Sequence, residues 1–154
     1  MTTLFPEVRL KRYLEIRSAD SQPPEMMLAL PALLKGILYE RDSLEGAWDL
    51  VRSWTWEERL EIYRGAHREG LHARIRKIAL ADLARELVEI GAAGLRRQAK
   101  LNEKGEDERV YLHRLEELVR HGNSLGRSLA ELWDGPWHRD VGRLIAHTTY
   151  RLPQ

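Results

Sequence analysis

Polar and charged side chains alternate with apolar ones near the N-terminus of the chain. Within residues 5–17, one side of this alternation carries, besides Glu7, the residues Arg9, Lys11, Tyr13, Glu15 and Arg17. On the other side, between residues 8 and 16, are valine, leucine and isoleucine, with one arginine as the exception. A period of two is typical of a β-strand with one face against a core. The pattern therefore predicts one N-terminal β-strand with a charged face.

Glu15 and Arg17 are the pair on this face with the clearest chemical potential. Side chains two residues apart on a strand point the same way, with their bases about 6–7 Å apart. A carboxylate binds Mg²⁺ and a guanidinium binds phosphate or carboxylate, so the pair could hold a cation and an anionic group together. The alternative is a solvated strand face crossed by weak ion pairs, and the spacing alone does not decide between the two.

The composition limits the class of protein. Its 154 residues suit a single domain. The 25 Lys and Arg residues nearly balance the 24 Asp and Glu residues, so the net charge of +1 does not suggest a nucleic-acid partner. There is no cysteine, which excludes disulfides and thiolate metal sites. The sequence has no apolar run of membrane-spanning length and no signal-peptide pattern, so we expect a cytoplasmic protein with no membrane partner.

The rest of the chain has the apolar periodicity of helices. Residues 1–24 are expected to form the strand and a loop, and residues 25–154 a compact bundle of about six helices, which makes the fold mainly α. The predicted helices span residues 25–38, 44–54, 55–70, 80–101, 108–121 and 124–134, with a last helical piece around 141–147.

Local signals predict details of these helices. Ser43 is the expected N-cap of the second helix, and Thr55 with Glu58 forms a capping box for the third. The small residues 91–94 would permit close approach of another helix. The basic segment 70–77 is interpreted as a solvated connector. The five tryptophans lie in helical stripes or beside a turn, which favours core packing over base stacking.

Other kinds of site find little support in the sequence. No pair among the six histidines has the i, i+4 spacing with an intervening glutamate that a helical zinc site needs. There is no glycine-rich phosphate loop and no Gly-x-Ser-x-Gly nucleophile turn. The Glu-x-Arg strand is therefore the leading candidate for chemistry.

A specific family pattern runs through the same region. Its residues are the run at 2–17, then Ala19-Asp20, Ala29-Leu30-Pro31-Ala32, Gly36, and Leu38-Tyr39 followed by an acid. This pattern resembles the signature region of glutamate–cysteine ligases of the plant and proteobacterial type. A weaker similarity continues through residues 54–59 to 135–137. The resemblance spans nearly the whole chain but only the C-terminal third or so of a usual member, so residues 1–154 are interpreted as the C-terminal portion of a catalytic domain.

The resemblance implies roles for individual residues. The family belongs to the glutamine-synthetase-like ligases, whose whole enzymes are α+β and whose active sites are lined by strands of a curved antiparallel sheet. By this resemblance Glu15 is a catalytic Mg²⁺ ligand, and Arg17 is the catalytic arginine that binds the transferred phosphoryl group. Strand alternation adds Arg9 and Lys11 as candidates for the substrate carboxylates. Tyr13 is a weaker substrate- or ATP-binding candidate.

The resemblance also implies a reaction, that of an ATP-dependent carboxylate–amine ligase with Mg²⁺ as cofactor. ATP phosphorylates the γ-carboxylate of glutamate, and the amine of cysteine displaces the phosphate to give γ-glutamylcysteine for glutathione biosynthesis. One carboxylate cannot complete such a metal site, and one strand cannot bury its backbone alone. We therefore expect the isolated chain to be inactive unless a separate chain or self-association supplies the missing strands. The alternatives are a non-catalytic helical interaction module that retains a remnant strand, or a related ligase that uses another amine.

Overall fold

A computed structural model describes residues 7–150, and the fold of this part is mainly α, which confirms the predicted class. Within these residues there are seven α-helices, three short 3-10 segments and two β-hairpins. The helices are α1 (Ala29–Leu38), α2 (Arg41–Val51), α3 (Trp56–Glu69), α4 (Leu80–Gln98), α5 (His113–His121), α6 (Leu125–Asp134) and α7 (Val141–Thr148). Residues 2–6 of the signature run lie outside the described residues.

The N-terminal segment is a hairpin, so the prediction of one continuous strand is wrong. Strand β1 (Val8–Leu10) pairs antiparallel with strand β2 (Leu14–Ile16), and Leu10 lies opposite Leu14. The chain reverses over residues 11–13, where the amide of Lys11 donates to the carbonyl of Tyr13 at 2.9 Å. A three-residue turn keeps apolar residues opposite apolar ones, so the period-two pattern is unchanged. The arginine that interrupted the pattern is the middle residue of this turn.

The basic segment 70–77 is also more ordered than predicted, because part of it forms a second hairpin. Strand β3 (Arg74–Ile75) pairs with strand β4 (Ile78–Ala79), and Ile75 is buried. Arg76, at the turn, donates from Nη2 to a carboxylate oxygen of Glu58 at 2.8 Å and to the carbonyl of Ser53 at 3.1 Å. The segment is therefore attached to the start of α3 and is not a solvated linker.

Helix α4 is the centre of the helical part and packs against α1, α2 and α5. It meets α1 at glycines on both helices. A Cβ atom on Gly36 would lie 2.1 Å from the carbonyl oxygen of Gly91, and a Cβ atom on Gly94 would lie 2.0 Å from that of Gly36. The two backbones are thus in direct contact, which confirms the close approach predicted from residues 91–94. The buried apolar core around this crossing is Ala32, Leu33, Ile37, Val88, Leu95, Leu112 and Val119.

The prediction that the tryptophans pack in the core is wrong. None of the five, all of which lie in the described part of the chain, is buried, and the side chains of Trp48 and Trp56 are 56% and 67% exposed. Helix α2 turns Ser43 and the half-buried Gly46 toward α4, and Ile90 lies against Gly46. Trp48 lies on the outer side of α2, while the small residues Ser43 and Gly46 face α4.

The helix caps agree with prediction at α3 and differ at α2. Thr55 and Glu58 form the predicted capping box, with each side chain accepting the other residue's amide at 3.2 and 2.8 Å. Helix α2 begins earlier than expected because Glu40 is its N-cap and accepts from the amides of Asp42 and Ser43. Ser43 is instead buried, and its hydroxyl donates to a carbonyl of α4 at 3.0 Å.

This cap makes stability depend on acid pH. The guanidinium of Arg97 and the amides of Ser43 and Asp42 hold the pKa of Glu40 at about 2, against an ordinary 4.5. Because the folded pKa is the lower one, the stabilisation is complete above pH 4.5 and is lost as pH falls toward 2. We expect the urea midpoint to fall across this window and Glu40→Gln to reduce the slope.

Glu61→Gln is a matched control for this measurement, because the Glu61 carboxylate makes no hydrogen bond within residues 7–150 and its loss should keep the wild-type slope. Glu58 contributes in the same window, since Arg76 lowers its pKa to about 2. The Glu40→Gln/Glu58→Gln double variant should therefore flatten the profile further. A double variant with the wild-type pH profile would contradict the assignment.

Candidate functional site

The polar face of the N-terminal hairpin brings three charged side chains together. Arg9 lies directly opposite Glu15 in the register of the hairpin. Its Nε donates to Oε2 of Glu15 at 2.7 Å, and its Nη2 lies 2.5 Å from the same oxygen. On one straight strand these residues would be about 20 Å apart, because six residues each rise about 3.3 Å. The hairpin therefore makes a contact that a single strand would forbid.

Arg17 completes the cluster on the other side of the carboxylate. Its Nε lies 3.6 Å from Oε1 of Glu15, so the two side chains lie on the same side, as the alternation predicts. The backbone amide of Arg17 donates to the carbonyl of Glu7 at 2.7 Å. This bond extends the pairing one residue beyond the strands and fixes the position of the Arg17 backbone. All three side chains of the cluster are partly buried, with 25–41% of each side chain exposed. We call Arg9, Glu15 and Arg17 the hairpin cluster.

The cluster keeps its carboxylate ionised. The hydrogen bond from Arg9 lowers the pKa of Glu15 most, and the charges of Arg17 and Lys11 lower it further, while partial burial acts in the opposite direction. The ionised form is the one that binds a metal ion. Because both nitrogens of Arg9 bond to Oε2, the more accessible metal-binding oxygen is Oε1.

The other two predicted site residues lie at the turn of the hairpin. Lys11 and Tyr13 are exposed, and Tyr13 is 59% exposed. Lys11 is the first residue of the turn, and its charge helps to lower the pKa of Glu15. Tyr13 is the last residue of the turn, directly before β2. The structure thus gathers Arg9, Glu15 and Arg17 and leaves Lys11 and Tyr13 at the edge.

The apolar face of the hairpin is uncovered in this part of the chain. Val8, Leu10 and Leu14 are 51%, 78% and 58% exposed. A two-stranded hairpin is marginally stable alone and requires a further layer or further strands. Within residues 7–150, no such layer covers Val8, Leu10 and Leu14.

The metal-binding capacity of the described residues is also partial. Within residues 7–150, no three His, Asp or Glu side chains come together in a way that could hold a metal ion. Mg²⁺ is usually bound by one or two carboxylates together with phosphate oxygens and water. Glu15 fits the role of one such ligand, and the described residues do not bring two further carboxylates or imidazoles to it.

Sequence reasoning did not identify the contact of Tyr150 with the loop that follows the hairpin. Its hydroxyl donates to the carbonyl of Gln22 at 2.6 Å and shares a hydrogen bond with the Ser21 hydroxyl at 2.7 Å. These contacts attach the segment after α7 to the loop that leaves the hairpin. No local pattern in the sequence links residues so far apart, so only the tertiary structure shows the contact.

None of the helices in residues 7–150 is both long enough and apolar enough to cross a bilayer.

Comparison with known proteins agrees with the resemblance. The sequence profile of the glutamate-cysteine ligase family 2 (GCS2) matches residues 1–147. The chain is 38% identical over 150 residues to the chloroplastic glutamate–cysteine ligase of Nicotiana tabacum and 36% identical to that of Arabidopsis thaliana. The A enzyme of Oryza sativa subsp. indica is 35% identical. Each alignment covers 97% of this chain, but only 28–29% of the relative.

These relatives correct one prediction and place the chain in a family. They are chloroplastic enzymes, which contradicts the cytoplasmic location predicted from the absence of a signal pattern. That prediction was wrong because the chain corresponds to little more than a quarter of its relatives' length. The absence of a targeting signal from such a segment does not indicate where the protein is located. On the strength of the profile match over nearly its full length, the chain belongs to the glutamate–cysteine ligase family 2.

Proposed function

We propose that this chain is the C-terminal part of an ATP-dependent ligase that joins glutamate to cysteine, and that the hairpin cluster forms one wall of its active site. Family membership and the similarity to named glutamate–cysteine ligases support the reaction class. The observation that carries the proposal is the contact of one carboxylate with two guanidiniums, Arg9 and Arg17, on the hairpin. Such a cluster suits a reaction in which anionic groups must approach each other.

The charge of this hairpin face matches that requirement. Glu15 is surrounded by Arg9, Lys11 and Arg17, so the face has an excess of positive charge that would attract a triphosphate and a carboxylate. In the proposed reaction ATP phosphorylates the γ-carboxylate of glutamate, and the amine of cysteine then displaces phosphate from the γ-glutamyl phosphate. Each step places negative charge where preorganised cations stabilise it.

The residues of the cluster receive different roles. Glu15 would supply Oε1 to Mg²⁺, which neutralises phosphate oxygens when it is bound. Arg17 would donate to the transferred phosphoryl group, because its Nε lies beside Oε1, the oxygen assigned to Mg²⁺. Arg9 fixes the orientation of the carboxylate through Oε2 and is a positioning residue first, with substrate carboxylate binding as a further role. Lys11 and Tyr13 would contact substrate at the rim.

The proposal predicts that the chain alone does not turn over. Within residues 7–150 no three potential metal ligands come together, and the apolar face of the hairpin is exposed. The test is ATP- and glutamate-dependent phosphate release by the purified chain, with and without cysteine. We expect background rates for the chain alone, and turnover once it replaces the matching segment of the Nicotiana tabacum relative.

Two outcomes would contradict this proposal. Robust phosphate release by the chain alone would show that the site is complete without further sequence. A folded chimera that neither releases phosphate nor binds ATP, beside an active parent, would favour the alternative of a non-catalytic helical module. Replacing cysteine by other amines in the same assay separates the glutamate–cysteine ligase from a related ligase.

A further inference from the structure

We propose that the groove between α4 and α5 is a second anion-binding site, separate from the hairpin, for a small organic molecule with two oxyanion groups. The groove has a cavity volume of about 350 Å³, which lies within the range of small-molecule sites. Four arginines line it, and its floor is apolar. Its main lining residues are Arg85, Arg96, Arg109, Arg120, Val88 and Val119.

The spacing of the arginines follows from helix geometry. Arg85 and Arg96 are eleven residues apart on α4, which is close to three full turns, so both lie on the same side about 16 Å apart. Between them on this face are Ala92 and Ala93, whose small side chains leave the groove open. Arg120 comes from the facing helix α5. The groove is therefore elongated, with positive charge at intervals along it.

Two of the four arginines already have carboxylate partners, and the other two have guanidinium N–H groups available to a ligand. Arg85 bonds to Asp82 at 2.9 Å, and Arg109 bonds to Asp107 through Nε at 2.8 and 2.9 Å. Within residues 7–150 the side chains of Arg96 and Arg120 make no hydrogen bond or ion pair, although the charge of Arg96 reaches Asp107.

The charge of the lining determines how many negative groups the ligand should have. Asp82 and Asp107 already neutralise Arg85 and Arg109. Glu89 and Glu116 also line the groove, but they form no ion pair with Arg96 or Arg120 within residues 7–150, so these two guanidiniums can each bind one negative group. A guanidinium fork fits a phosphate or a carboxylate. The apolar floor at Val88 and Val119 favours a carbon spacer between the two groups. The expected ligand is a dianion with a short hydrocarbon body.

The experiment uses two probes with the same spacer, adipate and butane-1,4-diyl bisphosphate, titrated into the purified chain by calorimetry at low ionic strength. At least one probe should bind with one-to-one stoichiometry and shift the amide NMR signals of α4 and α5. Tighter binding of the bisphosphate would assign the site to phosphate esters. Equal or tighter binding of adipate would assign it to carboxylates.

Charge-matched variants separate the site from general attraction. Arg96→Gln/Arg120→Gln should weaken binding at least about tenfold, because two charge-assisted hydrogen bonds are lost. Arg52→Gln/Arg64→Gln removes the same charge elsewhere and should change binding by less than about twofold. Equal weakening in both double variants, or no binding of either probe, would overturn the proposal. The wild-type NMR shifts locate the binding site even if a variant fails to fold.

Discussion

The Gly36→Ala variant is expected to lose roughly 3–5 kcal/mol of unfolding free energy. The added methyl carbon would lie 2.1 Å from the carbonyl oxygen of Gly91, and backbone cannot move aside as a flexible side chain does. The helices α1 and α4 must separate, which opens gaps along the core they share. Urea denaturation followed by circular dichroism measures the loss.

The other glycines give a graded series around this prediction. Gly94→Ala should cost about as much, since its methyl carbon would lie 2.0 Å from the carbonyl oxygen of Gly36. Gly91→Ala should cost less, because its closest contact is the mobile end of Leu33 at 2.5 Å. Gly126→Ala in α6 meets nothing within 4 Å and should be neutral or stabilising by up to about 1 kcal/mol. Equal costs at Gly36 and Gly126 would contradict the packing described here.

Glu15→Gln and Arg17→Gln are expected to have the largest effects on catalysis in the chimeric ligase. Under the proposed roles each should lower kcat/KM by about 10²–10³, because Glu15→Gln would remove a metal-binding charge and Arg17→Gln a preorganised donor to the phosphoryl group. Arg9→Gln should have a smaller effect, about tenfold, and should raise the Mg²⁺ concentration needed for half-maximal rate, since Arg9 orients the carboxylate. Phosphate release at varied Mg²⁺ and ATP measures all three.

Arg12 provides the matched control for these variants. It lies in the same hairpin, at its turn, and has the opposite parity to the hairpin cluster. Arg12→Gln should therefore change kcat/KM by less than about threefold. If Glu15→Ala and Arg17→Ala left ATP binding and turnover unchanged in a folded chimera, the hairpin cluster would be a surface ion pair, and the proposed roles would fail.

Local signals in the sequence predicted the features that depend on a few neighbouring residues. The capping box at Thr55 and the contact at residues 91–94 both follow from short-range chemistry, and both are observed. The neighbourhood of Glu15 and Arg17 was also predictable, because side chains two apart on a strand point the same way whether or not the strand later turns back.

The errors have a common physical cause, which is that the pattern was compatible with more than one tertiary arrangement. A three-residue turn preserves parity, so the alternation could not distinguish a strand from a hairpin, and the contact of Arg9 with Glu15 was missed. Ser43 is a residue type that often caps helices, but here it is buried and its hydroxyl donates to a carbonyl of α4. The exposure of Trp48 depends on which side of α2 fits α4, and periodicity does not specify that.

The attachment of Tyr150 has a consequence for the order in which the molecule becomes structured. Its hydrogen bonds join positions 128 and 129 residues apart, so they close almost the entire chain into a ring. Contacts of such long sequence separation carry a large loop-closure entropy and tend to form last and open first. The position of the loop that follows the hairpin is thus expected to depend on Tyr150, and removing the chain from residue 150 onward should raise amide hydrogen exchange in the loop at residues 18–23 before it changes global stability.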